Sequence, residues 1–593
     1  MSALLRVFGF ETDESIKALF QGQFDEEDFD YIEQTLSKDG LTSAEDAAVH
    51  IYNKMRPGEI IDSESAMDYI KSIFLSQDRM HLGAVARRKI NVKLGLNKDL
   101  KKPESHLFDA EDLIAAMKYL VALGNKKRGF FYDDIDHLAN RRIRSMGETL
   151  YAHLIPVMGK FVKSIKGKLS VLNLDEPIKL TSLANFKIVD NSIKSFFATS
   201  QLSQFLDQLN PLAEIEHKRR ITAMGPGGLK RETATFEVRD VHQSHYGRIC
   251  PIETPEGQNI GLVVHQALYS KVNEFGFVET PAMKVRNNVP ATAADLTNRI
   301  SDDTIKDGNK IVVRDGDMID EKTAKVIEKL YKGKAEVVKV RPFLTGEVEY
   351  ISPEYDEKYI IADISTPVDE FMNIAVKRVA ARHFMNMELF YVNDITHVDV
   401  NPSQIFSPNT TIIPFVDHDD AVRAAMGTNM QRQAVPLIKP EAPFVGTGLE
   451  ADIASMTYAV TKAEGPGEVV YVDGKRVKVK YQKGGTKEYE CITFKRSNQK
   501  TVIHQVPRVS LGDKVKTGDI IVEGPSVVDG EISLGKNLKV AFMQWEGYNY
   551  EDAIAISQRL ISDDELTSVH IDEYEIEVAD TKLGPEETTN DIP

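Results

Sequence analysis

The sequence predicts a multidomain α+β protein, because of its length and because two different hydrophobic periodicities occur along it. A chain of 593 residues exceeds the ~100–200 residues that one domain usually contains. Apolar residues recur at helical spacing in the first part and at every second position in the last part, which predicts helices and then strands. The composition, 42% hydrophobic and 27% charged, is typical of a globular protein.

Residues 1–130 are predicted to be mostly helical. The segments ESIKALF, AEDAAVHIYNKM and AEDLIAAMKYLVAL place apolar residues at positions i, i+3 and i+4. The pair Pro57-Gly58 should end the second of these helices, because proline and glycine both interrupt a helix.

The acids of DDIDH (133–137) precede a predicted helical run that contains several arginines. Clustered aspartates can bind a metal ion, but acids are also favoured at helix N-termini. Arginines so close by would compete with a cation for the carboxylates. The sequence therefore favours capping and ion pairing over a metal site. The arginines are Arg141, Arg142 and Arg144.

Residues 265–395 alternate short β patterns, such as KIVVRD and GEVEYISP, with one predicted helix in PVDEFMNIAVKRVAARHF. A metal loop at Asp315 and Asp317 is one interpretation of the acids in this region. We favour a hairpin turn, because Asp-Gly between two strands is a strong hairpin signal.

Residues 396–593 are predicted to be the most β-rich. GEVVYVDGKRVKVKYQ, TKEYECITF and KVKTGDIIVEG have a two-residue period interrupted by glycine turns. The segment GDKVKTGDIIVEGPSV is similar to the strands of a small swivelling or lipoyl-like barrel. It has no carrier lysine in a tight turn, which argues against a biotin or lipoyl carrier.

Several protein classes are excluded. The sequence has no long uncharged apolar run that predicts a membrane span, and its start, MSALLRVFGFETDE, lacks a signal-peptide pattern. Cys250 and Cys491 have no CxxC partner, which excludes a zinc ribbon and predicts two buried small hydrophobes. The net charge of −17 does not exclude nucleic acid, because phosphate binding depends on local cationic patches.

Residues 199–263 combine a cationic cluster, a glycine-rich loop and an acid that we expect to be buried. The basic run 218–220 precedes the loop 225–228, and Lys230 and Arg231 follow that loop. Glycines allow close approach of a backbone, and a guanidinium group pairs with two phosphate oxygens at once. A solvated surface turn is the alternative. The amides, aromatics and prolines around the basic run favour a phosphate-binding surface.

Two further segments combine acids with polar or aromatic residues. In VDHDDAVRAAMGTNMQRQAVP, Asp417 is expected to cap a helix, and the polar residues after Arg423 predict a wall that faces a ligand. In WEGYNYEDAIAIS, Glu551 and Asp552 precede the apolar AIAI, which predicts burial near a functional surface. Two carboxylates at the end of a strand can approach a magnesium–triphosphate. A structural role is the alternative.

These segments resemble the β-subunit family of bacterial DNA-directed RNA polymerase. The resemblance rests on DDIDHLANRRIRSMGE, the 199–263 span, VDHDDAVRAAMGTNMQRQAVP, PFVGTG and FMQWEGYNYEDAIAIS, and it covers nearly the whole chain. It implies a partial lobe over 1–130, lobe and protrusion elements over 131–198, a fork region over 199–264, a mixed external domain over 265–395 and an incomplete, barrel-like hybrid-binding domain over 396–593.

The resemblance also implies roles for individual residues, and no residue is expected to bind a metal ion directly. Those implied to support catalysis near the nucleotide and its metal are Arg423, Glu551 and Asp552, with an active-site wall of Asp420, Gln431 and Arg432. Those implied in nucleic-acid binding are Arg141, Arg142, Arg144, Lys218, Arg219, Lys230, Arg231 and Arg248. Those implied in a rifamycin pocket are Gln204, Phe205, Asp207, His217, Arg220, Thr222 and Glu256.

Three positions depart from the family's pattern. Val422 stands where an amide is common, which argues against a hydrogen bond to the nucleotide from this position. Thr222 replaces a common serine, and Leu209 replaces a common asparagine. We therefore expect a rifamycin to bind more weakly than it does to typical relatives.

The function that the resemblance implies is template-directed RNA synthesis, with this chain as one portion of the enzyme that is inactive alone. Two metal ions would stabilise the attacking and leaving oxygens, and the Mg²⁺ would be held mainly by the partner β′ subunit and the nucleoside triphosphate. The expected partners are the β′, α, ω and sigma subunits, the remainder of β, template DNA, nascent RNA and nucleoside triphosphates, with no membrane. The expected location is the bacterial cytoplasm, at the nucleoid.

A non-catalytic nucleic-acid-binding or scaffold module derived from that subunit is the alternative function. The sequence lacks the family's lysine-bearing segment that grips the RNA–DNA hybrid. The stop within DTKLGPEETTNDIP is expected for a gene fragment, and a natural split subunit is the alternative.

Overall fold

The computed structural model describes residues 2–22, 28–74, 81–171, 183–308, 310–331, 337–383, 386–582 and 584–591. The chain forms two compact units, Met1–Ile135 and Asp136–Pro593. Helices build the first unit, and helices with several small sheets build the second. The α+β class is therefore confirmed, whereas the five finer domain boundaries stay a prediction.

The first unit consists of helices that pack around two apolar clusters. Leu5, Phe20 and Val121 belong to one cluster, and Ala48 and Ile70 belong to the other. The helical prediction for this region is confirmed. The α-helices are Ser2–Val7, Asp13–Leu19, Tyr31–Lys38, Ala44–Met55, Ser63–Phe74, Ala84–Leu94 and Ala110–Gly124, with a 3-10 helix at Pro103–His106.

A capping box at the start of helix Ala110–Gly124 also positions a buried ion pair. Asp109 Oδ1 accepts a hydrogen bond from Asp112 N at 3.0 Å, and the Asp112 side chain bonds back to Asp109 N. Arg87 donates to both carboxylate oxygens of Asp112, at 2.6 and 2.7 Å. The two side chains are 0% and 1% exposed, so this pair joins two helices inside the unit.

The second unit contains one long helix and many shorter elements. Its α-helices are Met146–Leu169, Lys187–Thr199, Pro211–Lys218, Phe236–Arg239, Ala293–Leu296, Glu321–Leu330, Pro353–Asp356, Pro408–Thr411, Ala421–Gln431, Glu450–Ser455 and Arg559–Ser562. Its 3-10 helices are Arg231–Thr233, Gln243–His245, Gly257–Asn259, Val392–Asp394, Pro402–Ile405 and Val416–His418.

A seven-stranded sheet forms the framework of residues 271–399, with Val285, Leu344 and Val398 in its core. The described strands pair antiparallel, except that His397–Asp399 runs parallel to Ile361–Ala362. In spatial order the strands are Asn386–Tyr391, Arg378–His383, Ile361–Ala362, His397–Asp399, Val278–Pro290 and Lys271–Val272, and Val337–Ile351 also pairs with Val278–Pro290.

Residues 460–523 form two small sheets. The four-stranded sheet has the order Gly485–Glu490, Arg476–Tyr481, Gly467–Val472 and Lys514–Val515. The three-stranded sheet has the order Val460–Lys462, Ile520–Glu523 and Val506–Pro507. The strands predicted here are thus confirmed, but the prediction that residues 396–593 are the most β-rich is wrong, because the long strands Val278–Pro290 and Val337–Ile351 give residues 265–395 a larger share of strand. The described strands form no closed barrel, because the segments on either side of the turn at Gly518 pair in different sheets.

The remaining strands occur in short pairs. They are Arg220–Thr222 with Val263–His265, Ile305–Asp307 with Lys310–Val313, Lys495–Arg496 with Val502–Ile503, Val527–Val528 with Glu531–Ile532, and Asp580–Thr581 with Gly584–Pro585.

The predicted helix in PVDEFMNIAVKRVAARHF is wrong. Residues Arg378–His383 form a strand that pairs with neighbours on both sides. Val379 and Ala381 are buried while Arg378 and Ala380 are exposed, so the apolar residues also fit a two-residue period. Pairing on both edges satisfies the backbone and decides between the two periods. The longest described helix of this region is Glu321–Leu330 instead.

The predicted helical run around Arg141, Arg142 and Arg144 is also wrong. The helix begins at Met146, and Ile143 N instead donates to the carbonyl of Gly276 at 2.8 Å. This backbone contact with a distant segment holds the arginines in extended chain. Ion pairing is confirmed for Arg141, whose Nη1 lies 3.3 Å from Asp136 Oδ1; the acids do not cap the helix.

Other local predictions have mixed outcomes. Asp315 and Gly316 lie in a turn in which Asp317 N donates to the carbonyl of Arg314, but the predicted hairpin is wrong, because the strand before the turn, Lys310–Val313, pairs with Ile305–Asp307. Helix Ala421–Gln431 is capped by Asp420 rather than by Asp417. Both cysteines are buried and free, as predicted. Within the described ranges, every helix is too short or too polar to span a bilayer.

Loss of one partner of the buried pair Arg87–Asp112 should destabilise the first unit. Arg87→Met leaves a buried carboxylate without its main partner, which should cost ~3–5 kcal/mol of unfolding free energy. Arg87→Met with Asp112→Leu should recover part of this loss, because neither buried charge is then left alone. Urea unfolding, followed by hydrogen exchange of residues 84–124, measures both changes. Equal stability of Arg87→Met and the wild type would contradict the prediction.

Candidate nucleic-acid and nucleotide interface

One buried asparagine joins the fork region to the predicted active-site wall. Asn210, 0% exposed, caps helix Pro211–Lys218 by accepting from Ala213 N at 2.7 Å. Its amide nitrogen donates to the carbonyls of Gln431, Arg432 and Ala434 at 3.2, 3.2 and 2.8 Å. Those carbonyls are at the end of helix Ala421–Gln431, where intrahelical partners run out. One side chain therefore satisfies two helix ends and fixes them together.

A second junction is the carboxylate of Glu216, whose side chain is 0% exposed. Arg220 Nη2 donates to its two oxygens at 3.0 and 2.9 Å, and Arg432 Nη1 donates to Oε1 at 2.9 Å. His265 Nε2 lies 2.5 Å from the same Oε1. Three cationic side chains from three segments thus converge on one buried anion.

The oxygen atoms next to both ring nitrogens of His265 favour an imidazolium. Its Nδ1 lies 3.1 Å from the carbonyl oxygen of Glu253, which can only accept, so Nδ1 has a proton. A lone pair on Nε2 would be repelled by the carboxylate of Glu216, so Nε2 has a proton as well. The carboxylates of Glu253 and Glu216 raise the pKa of His265 against the opposing effect of burial.

The cations set the charge of Glu216 in turn. Burial alone would raise the pKa of this carboxyl, but His265, Arg220 and Arg432 lower it to about 2. Glu253 differs, because burial dominates and raises its pKa; its Oε1 accepts from Asn409 Nδ2 at 2.8 Å. Opposite shifts in two neighbouring carboxyls follow from the number of cations that each one contacts.

Glu216, Glu253 and His265 form the single group of three potential metal ligands within the described residues. Arginines and the imidazolium already neutralise Glu216, and both nitrogens of His265 carry protons. A cation would have to displace them, so these residues do not fit a metal ion. The clustered acids are a structural ion-pair network.

The predicted inhibitor-pocket residues surround His217. Its Nδ1 accepts from Asp207 N at 3.0 Å, and its Nε2 lies 3.1 Å from Gln204 Oε1. Nδ1 therefore has a lone pair and Nε2 a proton, so the ring is neutral. Burial is the main cause that lowers the pKa of His217, and Arg220 adds to it.

The other predicted pocket residues lie mostly on the surface. The Phe205 side chain is 88% exposed, and Thr222 and Glu256 are exposed as well. Thr222 Oγ1 accepts from Met224 N at 3.2 Å, at the start of the glycine loop. The structure thus brings Gln204, Asp207 and His217 together. The exposed ring of Phe205 follows Gln204 in the sequence.

Helix Ala421–Gln431 presents the predicted wall. Asp420 caps its first turn by accepting from Val422 N at 3.2 Å. Arg423 follows on the exposed surface, and within the described chain its guanidinium contacts only Met426 Sδ, at 3.7 Å. The opposite end is fixed by Arg432 through Glu216. The wall therefore combines one anchored arginine with one that is available to a ligand.

The predicted burial of Glu551 and Asp552 at the end of a strand is wrong, whereas their role near the nucleotide stays a prediction. Both lie in an exposed turn that belongs to no described strand, and Glu551 has a left-handed backbone with φ of 48°. Ile554 and Ile556, predicted to be buried, are 83% and 57% exposed. No residue among those that the structure describes covers these two side chains. The two carboxylates accept no hydrogen bond and form no ion pair with any described residue.

The predicted nucleic-acid cations divide into exposed and paired groups. Lys230 and Arg231 are exposed and form no ion pair within the described ranges. Arg144 is exposed and donates to the carbonyl of Pro226 at 3.1 Å, next to the glycine loop. Lys218 is exposed and pairs with Glu214. Arg142 pairs with Glu148 at 2.6 Å through Nη1.

Arg248 is not accessible, which corrects its predicted role. It is 0% exposed and donates to the carbonyls of Val278 and Ile351 at 2.9 Å each, while Asp356 neutralises its charge. Arg219 donates to the carbonyls of Ala267 and Leu268. Both arginines hold segments of the fold together instead of facing a ligand.

Sequence patterns did not identify Asn210, Glu216 or His265. A buried acid was expected in residues 199–263, and the structure has three such acids, Glu214, Glu216 and Glu253. The only local signal was an isolated acid beside a run of four basic residues, HKRR. Asn before a Pro-led helix also predicts a cap, but its second set of partners is more than 220 residues away.

Comparison with protein families identifies most of the chain. Residues 2–144 match RNA polymerase Rpb2 domain 2, residues 204–272 match Rpb2 domain 3, residues 334–401 match the RNA polymerase β subunit external 1 domain, and residues 462–593 match Rpb2 domain 6. The chain belongs to the RNA polymerase β-subunit family. The resemblance predicted from the motifs is confirmed.

Curated relatives agree with this assignment over the full chain. The DNA-directed RNA polymerase subunit beta of Syntrophomonas wolfei is 41% identical over 595 residues, which cover 100% of this chain and 48% of the relative. The homologous subunits of Flavobacterium psychrophilum and Fusobacterium nucleatum are 43% and 40% identical over 95% and 98% of this chain, and 41% and 45% of theirs. The chain spans about half the length of the curated relatives that it matches.

The pKa of His217 in the folded chain should lie below the ordinary 6.5, because the neutral ring accepts the Asp207 N–H bond. Folding favours the neutral form, so this bond stabilises the segment above 6.5 and is lost as the pH falls through the lowered pKa. NMR of ¹³C-labelled histidine measures the titration, and His217→Gln assigns the signal. A midpoint above 6.5 would contradict the prediction.

Proposed function

We propose that this chain is a portion of the β subunit of a multisubunit DNA-directed RNA polymerase and forms walls of its nucleic-acid channel and nucleotide site. The main support is helix Ala421–Gln431: Asn210 fixes its end to the fork, and its start presents Arg423 without a carboxylate partner in the described chain. An unneutralised guanidinium on a helix that is held in place is suited to the phosphates of a nucleoside triphosphate.

The proposed reaction is attack of an RNA 3′ hydroxyl on the α-phosphate of a nucleoside triphosphate. Such chemistry depends on positioning and on electrostatic stabilisation of phosphate oxygens. Arg423 would bind and orient the triphosphate, and Asp420 would hold the helix start from which Arg423 extends. Arg432, anchored by Glu216, would keep the other end of the wall in place.

The exposed cations would bind the nucleic-acid backbone. Lys230, Arg231 and Arg144 lie around the glycine loop, where Arg144 contacts the carbonyl of Pro226. The loop closes through a hydrogen bond from Gly228 N to the carbonyl of Gly225 at 2.9 Å. Each cation that neutralises a phosphate releases a counterion, so binding through this surface should weaken as salt rises.

Mg²⁺ is the proposed cofactor, held mainly by the β′ subunit and the nucleotide. Carboxylate oxygens are ligands that Mg²⁺ prefers, and those of Glu551 and Asp552 are exposed and unpaired in the described chain. One turn cannot supply a full coordination shell, so these residues fit a supporting role. Bound Mg²⁺ would neutralise charge on the triphosphate.

The proposed partners are the β′, α, ω and sigma subunits, the remainder of β, DNA and RNA, in the bacterial cytoplasm. The alternative is a non-catalytic scaffold or nucleic-acid-binding module. It is favoured by the exposed turn of Glu551 and Asp552, which this chain does not hold in a catalytic arrangement. RNA synthesis by the assembled enzyme distinguishes the two functions.

Arg423→Ala should impair nucleotide use by the enzyme assembled with its complementing subunits. Loss of a charge-assisted contact with phosphate should cost ~1.5–3 kcal/mol, or about 10- to 100-fold in kcat/KM. Steady-state kinetics of RNA extension with each nucleotide measures the effect.

Arg314→Ala is the matched control, because Arg314 is also exposed but lies in the external region; it should leave the kinetics unchanged. Wild-type values of kcat and KM in Arg423→Ala for every nucleotide would remove Arg423 from the proposed site. The isolated chain is the negative control, and template-dependent synthesis by it would contradict a role as one inactive portion.

The assembled enzyme should bind a rifamycin at Gln204, Phe205, Asp207, His217, Arg220, Thr222 and Glu256. His217→Tyr should raise the half-inhibitory concentration about tenfold, because it removes the Gln204 and Asp207 contacts and adds bulk. Thr222→Ser should lower it, because the hydroxyl stays while the extra methyl is lost. Drug titrations of RNA chain extension measure both. If the drug inhibits neither the wild type nor Thr222→Ser, the pocket is absent.

A further inference from the structure

Two arginines at the proposed ligand-facing surface are held from behind by one carboxylate. Arg220 and Arg432 have side chains that are 26% and 20% exposed, whereas the Glu216 side chain is 0% exposed. Arg220 uses Nε and Nη2 on Glu216, and Arg432 uses Nη1. The remaining guanidinium N–H groups, on Arg220 Nη1 and on Arg432 Nη2 and Nε, make no hydrogen bond within the described residues.

We propose that Glu216 is a positioning residue that holds Arg220 and Arg432 with their unused N–H groups toward oxygen atoms of the bound ligand, and that His265 stabilises the buried charge of Glu216. This inference rests on the proposed function for the identity of the ligand. The positioning of the two arginines by Glu216 does not depend on the proposed function.

Charge gives the first reason for this assignment. Arg220 and Arg432 both donate to Oε1 of Glu216, at 3.0 and 2.9 Å, so their charges are close together. Like charges in a partly buried site repel strongly, because water screens them poorly. A carboxylate between them removes that repulsion and restricts both side chains to one arrangement. A neutral amide in its place would accept the hydrogen bonds without neutralising the charge.

Chain connectivity gives the second reason. Glu216 lies on helix Pro211–Lys218, Arg432 follows helix Ala421–Gln431, and His265 ends the strand Val263–His265. Without Glu216, the guanidinium groups of Arg220 and Arg432 would lose the acceptor that they share, although Asn210 would still join their segments. The contacts at Oε1 therefore set the spacing of two guanidinium groups that come from distant parts of the sequence.

His265 supports Glu216 from the side away from the surface. It is 1% exposed and is held by the carbonyl of Glu253 at 3.1 Å. The imidazolium contacts neither Arg220 nor Arg432 through any hydrogen bond. Loss of His265 should therefore lower the stability of the chain more than it moves the arginines. Stability and arginine position can thus be tested separately.

Three variants of the full chain separate positioning from stability: Glu216→Gln, His265→Gln and the double variant. The double variant should be more stable than Glu216→Gln alone, because it also removes the buried cation of His265, but less stable than the wild type, because Arg220 and Arg432 stay without their carboxylate. The arginines respond differently. Phenylglyoxal modification of Arg220 and Arg432, followed by mass spectrometry, should accelerate in Glu216→Gln and equally in the double variant, and should stay at the wild-type rate in His265→Gln.

The assembled enzyme provides a second readout. The half-inhibitory concentration of a rifamycin should rise about tenfold in Glu216→Gln and in the double variant, the change expected when charge-assisted contacts are displaced, and not in His265→Gln. Wild-type modification rates in the double variant would overturn the positioning role and leave Glu216 with a structural one. Failure of the wild-type assembly to make RNA would contradict the proposed function, while the modification rates would still decide the role of Glu216.

Discussion

The buried carboxylate of Glu216 is the interaction on which the rest of the candidate interface depends. Burial of an ionised carboxyl is unfavourable unless cations and hydrogen-bond donors surround it. Arg220, Arg432 and His265 supply them, and each comes from a different segment. The charge requirement therefore becomes a geometric one, because the fork, the wall helix and the strand at residue 265 must meet at one point.

Asn210 imposes a similar constraint without charge. Helix ends leave N–H and carbonyl groups without intrahelical partners, and Asn210 satisfies groups at the start of one helix and at the end of another. The two junctions join the same two helices: Asn210 lies at the start of Pro211–Lys218 and Glu216 near its end, and both contact the end of Ala421–Gln431. Together they make the fork and the wall one rigid support, from which Arg423 and the exposed cations extend.

The basic residues of this chain perform two different tasks. Arg87 and Arg248 are fully buried and paired with acids, where their planar groups join segments through several hydrogen bonds each. Lys230, Arg231 and Arg423 are exposed and lack carboxylate partners in the described chain. The sequence alone does not separate these groups, because the identity of the partner depends on residues far along the chain. Arg248 was for this reason wrongly expected to bind nucleic acid.

The sequence by itself determined the fold class, the helical character of residues 1–130, the strands of residues 467–490 and the family. Those features depend on local periodicity and on long motifs, which are written in consecutive residues. Tertiary structure alone decided that Arg378–His383 is a strand, that Ile143 lies in extended chain, and that Glu551 and its apolar neighbours are exposed. It also decided the junctions at Asn210 and Glu216. In each case the outcome depends on whether a distant segment pairs with these residues or, within the described chain, leaves them exposed. The local sequence pattern does not specify that distant partner.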